Sequence, residues 1–301
     1  MTKLHAIAAA LPLAVALTVA PPAAAEGEVK SPLPGYVDGR GPTGPVELTI
    51  VSPKPDEVIP LAAEASGAGP GGGGAKGGEV SIRLELKNFE LYRDEKTQTG
   101  QHVHIVLDNV RHFEQFDLTK AYVLRGIAKG THTLRVFPAR PWHESIKEPK
   151  AFATVTFHVG EKNGKYAPEA GAPLLTANAP QGKIPAAASA KLLFDFLVTG
   201  CTVAPEGTQD GCQVRYKLDD QPEVTVTTPG PFYWENVAPG KHRYIVALSR
   251  DGKLLPGPFN APTLAFEIVG AAAPAAPAAP AAPAAPAAPA TPAAGGGVPA
   301  P

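Results

Sequence analysis

VSIRLELKN, residues 80–88, decides the fold: Val80, Ile82, Leu84 and Leu86 alternate with Ser81, Arg83, Glu85 and Lys87. A two-residue period is that of a strand with one face buried. GQHVHIVLDN (100–109) continues the pattern, with Val103, Ile105 and Leu107 on the inward face and His102 and His104 on the outward one. Residues 131–137 and 151–159 supply two further strands, and no amphipathic helix of useful length interrupts them.

The same order then recurs. AKLLFDFLV (190–198) parallels 80–88, and GCQVRYKLDD (211–220) parallels 100–109. FYWENVAPGKHRYIVAL (232–248) parallels YVLRGIAKGTHTLRVFP (122–138), and TLAFEIVG (263–270) parallels ATVTFHVG (153–160). Four matched segments in one order indicate an internal duplication. A single half-apolar sheet would leave its inner face in water, so each copy needs two sheets. The fold class expected is all-β: two tandem β-sandwich domains, 46–160 and 174–270, joined by a linker at 161–173.

Around these lie segments with little to pack. Residues 26–45 read as an extended leader, and SGAGPGGGGAKGG (66–78) as a flexible loop. Residues 271–301 repeat Ala-Ala-Pro, which blocks an α-helix and favours polyproline II. At the N-terminus, Lys3, the uncharged apolar run Ala6–Ala20 and Ala23-Ala24-Ala25 before Glu26 have the form of a cleaved secretory signal covering 1–25. An uncleaved N-terminal anchor is the alternative. No other stretch has the length and apolarity to span a membrane. The expected location is outside the cytoplasm, periplasmic or extracellular. Without residues 1–25 the chain carries 26 basic and 28 acidic side chains, a balance that gives no electrostatic reason to expect nucleic acid as partner.

The turn into the third matched segment is Lys129-Gly130-Thr131-His132 in the first copy and Pro239-Gly240-Lys241-His242 in the second. On these turns residues 46–270 resemble the secreted bacterial proteins with tandem immunoglobulin-like or fibronectin-type-III-like domains. Both copies lack the antibody-type pair of cysteines that links the sheets. The resemblance implies a β-sandwich fold.

Chemistry-bearing residues are few. Cys201 and Cys212 flank one loop, and in an oxidising compartment such a pair forms a local disulfide. His102 and His104 leave the same strand face, His112 follows shortly after, and His158 is expected to point outward from its strand. Three neutral imidazoles could hold Cu(II) or Zn(II); the matching Gln213 and Arg215 of the second copy make an ordinary wetted face the alternative. His132 and His242 recur at the same turn, which suits hydrogen bonding to loop backbone. There is no G-x-S-x-G, H-E-x-x-H or P-loop pattern, so no enzyme is expected.

The loop RPWHESIKEPK (140–150) offers a second candidate site: Trp142 with Arg140, His143, Glu144 and Lys147 around it. Trp and Arg are frequent at binding hot spots, and loops at sandwich ends carry contacts. The alternative is that Trp142 folds back to plug the sandwich. The expected function is thus a non-enzymatic exported module that binds an envelope, glycan or protein partner without a cofactor. Alternatives are a periplasmic Cu/Zn-binding protein and a structural spacer without a specific ligand.

Overall fold

The computed structural model describes residues 40–61 and 77–270. The expectations for the signal (1–25), most of the leader, most of the 66–78 loop and the tail (271–301) lie outside the described residues.

In the first half, β1 (Glu47–Ser52), β3 (Gly78–Lys87) and β6 (Tyr122–Ile127) form one sheet in the order β1-β3-β6. The facing sheet contains β2 (Val58–Ile59), β4 (His102–Leu107), β5 (Arg111–Gln115), β7 (Gly130–Ala139) and β8 (Ala153–Val159), in the order β2-β8-β7-β4-β5. The alternation along 80–86 is realised: Val80, Ile82 and Leu84 are buried while Ser81, Arg83 and Glu85 are exposed. These residues join Val103, Ile105, Leu134, Val136 and Phe157 in one apolar core.

The second half repeats this plan. Its strands are β9 (Leu174–Ala179), β10 (Gly182–Pro185), β11 (Lys191–Thr199), β12 (Thr202–Val203), β13 (Gly211–Leu218), β14 (Val224–Val226), β15 (Phe232–Glu235), β16 (Gly240–Arg250), β17 (Lys253–Leu254) and β18 (Thr263–Val269). The small sheet runs β15-β11-β9, and the large one runs β10-β18-β16-β13 with β12 and β14 on β13 and β17 on β16. Even the parallel edges correspond: β2 runs parallel to β8, and β10 to β18. The all-β, paired-sheet architecture expected from the sequence is present, and the second half repeats the strand order of the first.

The duplication extends to single atoms. His132 donates from Nδ1 to Asp108 Oδ2 (2.6 Å) and from Nε2 to the Ala128 carbonyl (2.8 Å), while Thr133 N–H donates to Asp108 Oδ1. His242 makes the same bonds to Asp219 (2.8 Å) and Ala238 (2.8 Å), with Arg243 N–H on Asp219 Oδ1. Both histidines thus tie a turn to the neighbouring strand connection. Burial opposes charging His132, but the bonds to Asp108 and Ala128 and the charge of Asp108 outweigh it and raise its pKa.

The structure corrects the reading of β4 and β8. His102 and His104 were expected on a wetted face, but both are buried, as is every residue of β4 and β7. The second half covers this face. Val106 and Phe137 pack with Leu197 across the seam. Arg135, fully buried, donates to the Leu175 carbonyl and Thr176 Oγ1 (both 3.1 Å) and lies over the Phe259 ring. His158, also expected outward, is buried between Thr131 and Asp56. Cys201 and Cys212 form the expected disulfide.

Candidate metal centre

Four imidazoles meet where β4, β5 and the 140–147 loop converge. His102 and His104 stand two apart on β4, so both rings leave one face and stack at 4.6 Å. The β4–β5 hairpin pairs Val106 with His112 and His104 with Glu114, which puts His112 and Glu114 on that same face. The chain then turns sharply after β7. His143 N–H donates to the Arg140 carbonyl and Arg140 N–H to the Glu144 carbonyl, with His143 at φ 67°. This left-handed kink, uncommon outside glycine, folds His143 over β4 with its ring centroid 5.0 Å from that of His102.

The hydrogen bonds set the tautomers. The Gly100 carbonyl can only accept, so His102 Nδ1 carries the proton (2.7 Å) and its Nε2 is a lone pair. His104 Nε2 therefore donates to His102 Nε2 (2.6 Å). His104 Nδ1 then accepts from His112 Nε2 (2.6 Å), and His112 Nδ1 accepts from the Gln181 amide (3.0 Å). Every ring in this chain is neutral. Burial is the main cause that pushes His102 and His112 down to about 4 and His104 well below its ordinary value, with mutual repulsion adding to it. Burial lowers His143 as well, opposed by the charge of Glu114.

Neutral imidazole is the ligand form. One donor atom each from His102, His104, His143 and Glu114 lies within 4.8 Å of the others. His143 Nδ1 sits 3.4 Å from His104 Nε2 and 3.5 Å from Glu114 Oε1. Two nitrogens on a tetrahedral ion with bonds of about 2.0–2.1 Å stand about 3.3 Å apart. The 2.6 Å His102–His104 contact has to widen by about 0.7 Å to reach that spacing. The His102 Nδ1–H to Gly100 bond is of the kind that orients a metal-bound imidazole.

This geometry joins two sites that the sequence kept separate. The strand pair His102/His104 and the loop residue His143 form one cluster. His112 meets His104 on its far nitrogen, away from the convergence point, so the third imidazole is His143 instead. Glu114 is the residue that sequence reading missed; the Asp-Asn turn at 108–109, by setting the hairpin register, was the available signal.

The rest of the loop divides. Trp142 donates from Nε1 to Glu144 Oε2 (2.7 Å), with Arg140 over its ring and Arg140 Nε 3.7 Å from Glu144. Trp142 is half-buried. Lys147 turns toward the second half, donating to Asp195 Oδ1 (2.6 Å) and the Phe196 carbonyl (2.7 Å).

No protein family matches this chain, and no curated protein does. Among solved structures, fibronectin(III)-like modules of Clostridium thermocellum CbhA are similar at 13% identity and a TM-score of 0.23, over 73% of this chain and 93% of that one. The BSP domain of a biofilm-associated protein matches at 12% identity and a TM-score of 0.23, over 75% of this chain and 30% of its own. A two-domain fibronectin type-III segment of chicken tenascin matches at 11% identity and 0.20, over 73% and 97%. At these scores only the residues of this chain bear on its function.

Proposed function

We propose that this chain is a non-enzymatic, exported metal-binding protein that holds one divalent transition ion, Zn2+ before Cu2+, on His102, His104, His143 and Glu114. The observation that carries this reading is the convergence of three neutral imidazoles and a carboxylate within 4.8 Å. Exposed acidic groups cluster commonly without binding an ion, but here two of the four ligand residues are buried and uncharged. The 3.4 Å and 3.5 Å separations of His143 from His104 and Glu114 suit a tetrahedral Zn2+, whereas Cu2+ prefers a tetragonal set.

Four protein donors would fill a tetrahedral shell and leave no open position for a substrate, which suits holding an ion rather than catalysis. The side chains of His143 and Glu114 are 45% and 42% exposed, so an ion has a path in from solvent. The disulfide and the signal-like N-terminus agree with an oxidising, exported setting.

Calorimetric titration of the full chain with Zn2+ tests the reading, with Cu2+ as the second titrant. One ion per chain is expected, lost in His104→Ala and in His143→Ala. His112→Ala should weaken binding but keep the stoichiometry. No saturable binding at micromolar metal refutes the site. Loss of binding in His112→Ala with none in His143→Ala restores the His102/His104/His112 set.

A further inference from the structure

All four ligands belong to the first half, yet the second half reaches into the site. Asn178, on β9, donates from its side-chain amide to the carbonyl of the ligand residue His143 (2.6 Å) and to Asp195 Oδ2 (2.6 Å). Gln181, just beyond β9, donates to both His112 Nδ1 (3.0 Å) and the Asn178 carbonyl (2.8 Å). Asp195 is fully buried on β11 and clasps the loop that carries His143. It accepts from Ser145 Oγ (2.6 Å), Ser145 N–H (3.2 Å) and Lys147.

One atom in this network lacks a partner. Asn178 Oδ1 is buried without a hydrogen bond, a costly arrangement for an amide oxygen. An ion on His104 Nε2 displaces the proton that this nitrogen gives to His102, and the imidazole must then carry its proton on Nδ1. That N–H faces His112 Nε2 at 2.6 Å, so His112 in turn carries its proton on Nδ1, against the Gln181 side chain of the second half.

We propose that metal binding in the first half and docking of the second half are one linked equilibrium. Asn178 is the positioning residue: its amide holds the backbone of His143 and ties it to Asp195 on β11. The inference rests on the metal reading above. Linkage is reciprocal, so whatever affinity docking adds, the ion returns as tighter docking. The ion thereby sets whether the two sandwiches move as one body.

The test uses the full chain and Zn2+ alone. Affinity is measured by competition with a chromophoric chelator in wild type, Asn178→Ala and Asp195→Ala. Asp195 touches none of the ligating side chains. Both variants should bind one ion about 10- to 100-fold more weakly, the range for removal of an outer-shell partner. Hydrogen exchange on the wild type requires no substitution. Saturating Zn2+ should slow the amides of β9 and β11, which contribute no ligand, and should leave them unchanged in His104→Ala. Unchanged β9 and β11 exchange in zinc-loaded wild type, or variants that bind within twofold of wild type, overturns the linkage and leaves the zinc site standing. A wild type that binds no zinc overturns both.

Discussion

Replacing His132 with Ala isolates the paired turn motif, because the second half supplies an internal control. His132 and Asp108 have side chains only 6% exposed. The substitution removes one charge-assisted bond, of about 1.5–3 kcal/mol, and one bond to a carbonyl, of about 0.5–1.5 kcal/mol. Asp108 is left buried with the Thr133 N–H on its other oxygen. The expected loss is about 3 kcal/mol at pH 5.5, or a Tm lower by roughly 6–12 °C for a unit of this size.

The pH dependence follows from the raised pKa of His132. A histidine held charged in the folded state contributes fully below the unfolded value of about 6.5, and the contribution fades as pH rises through the higher folded pKa. By pH 9 a neutral ring can donate to only one of its two acceptors, so the cost should fall to about half. His102 and His112 pull the opposite way, since their folded pKa values are depressed and their contribution fades as pH falls below about 6.5. The difference between wild type and variant therefore carries the test, because distant sites add. Urea unfolding at both pH values measures it. Asp219 is 38% exposed beside His242, so His242→Ala should cost about 1 kcal/mol or less. A His132→Ala cost that is equal at the two pH values, or larger at pH 9, would show that His132 is not held as a cation.

Three further outcomes are expected. Opening the Cys201–Cys212 loop, of sequence separation 11, by Cys→Ser exchange at both positions should cost about 2–3 kcal/mol in urea unfolding; no measurable cost would mean that the β12–β13 connection is held without it. Gly100→Ala places a Cβ 1.9 Å from the Tyr92 carbonyl oxygen and must shift the carbonyl that orients His102, so it should lower both stability and zinc affinity; wild-type zinc affinity in a folded variant would remove Gly100 from the site. Trp234, 7% exposed and stacked on Phe194 at 4.8 Å, should resist acrylamide and cost about 3–5 kcal/mol as Trp234→Ala. Trp142→Ala should cost less and remove most of the quenchable emission, and equal costs would place both indoles in the core.

Much of this protein is legible along the chain. Alternation at 80–87, repeated at intervals and then duplicated from 190 onward, specifies short strands in two sandwiches because each strand must put one face out of water. The cysteine pair announces its partner, and the Gly-x-His turns announce a bond to loop backbone, but not the Asp108 and Asp219 carboxylates that the structure adds. The site is only half legible. Strand periodicity places His102 and His104 on one face, but it says nothing of what covers that face. Part of the covering comes from the second half, through Leu197 on Val106 and Phe137 and Asn178 on the His143 backbone, while Phe116 and His143 stand against His102. Hairpin register brings Glu114 beside His104, and a left-handed kink at His143 closes a gap of 39 residues. Those are decisions of packing between elements distant in sequence, and in this chain only the tertiary structure makes them.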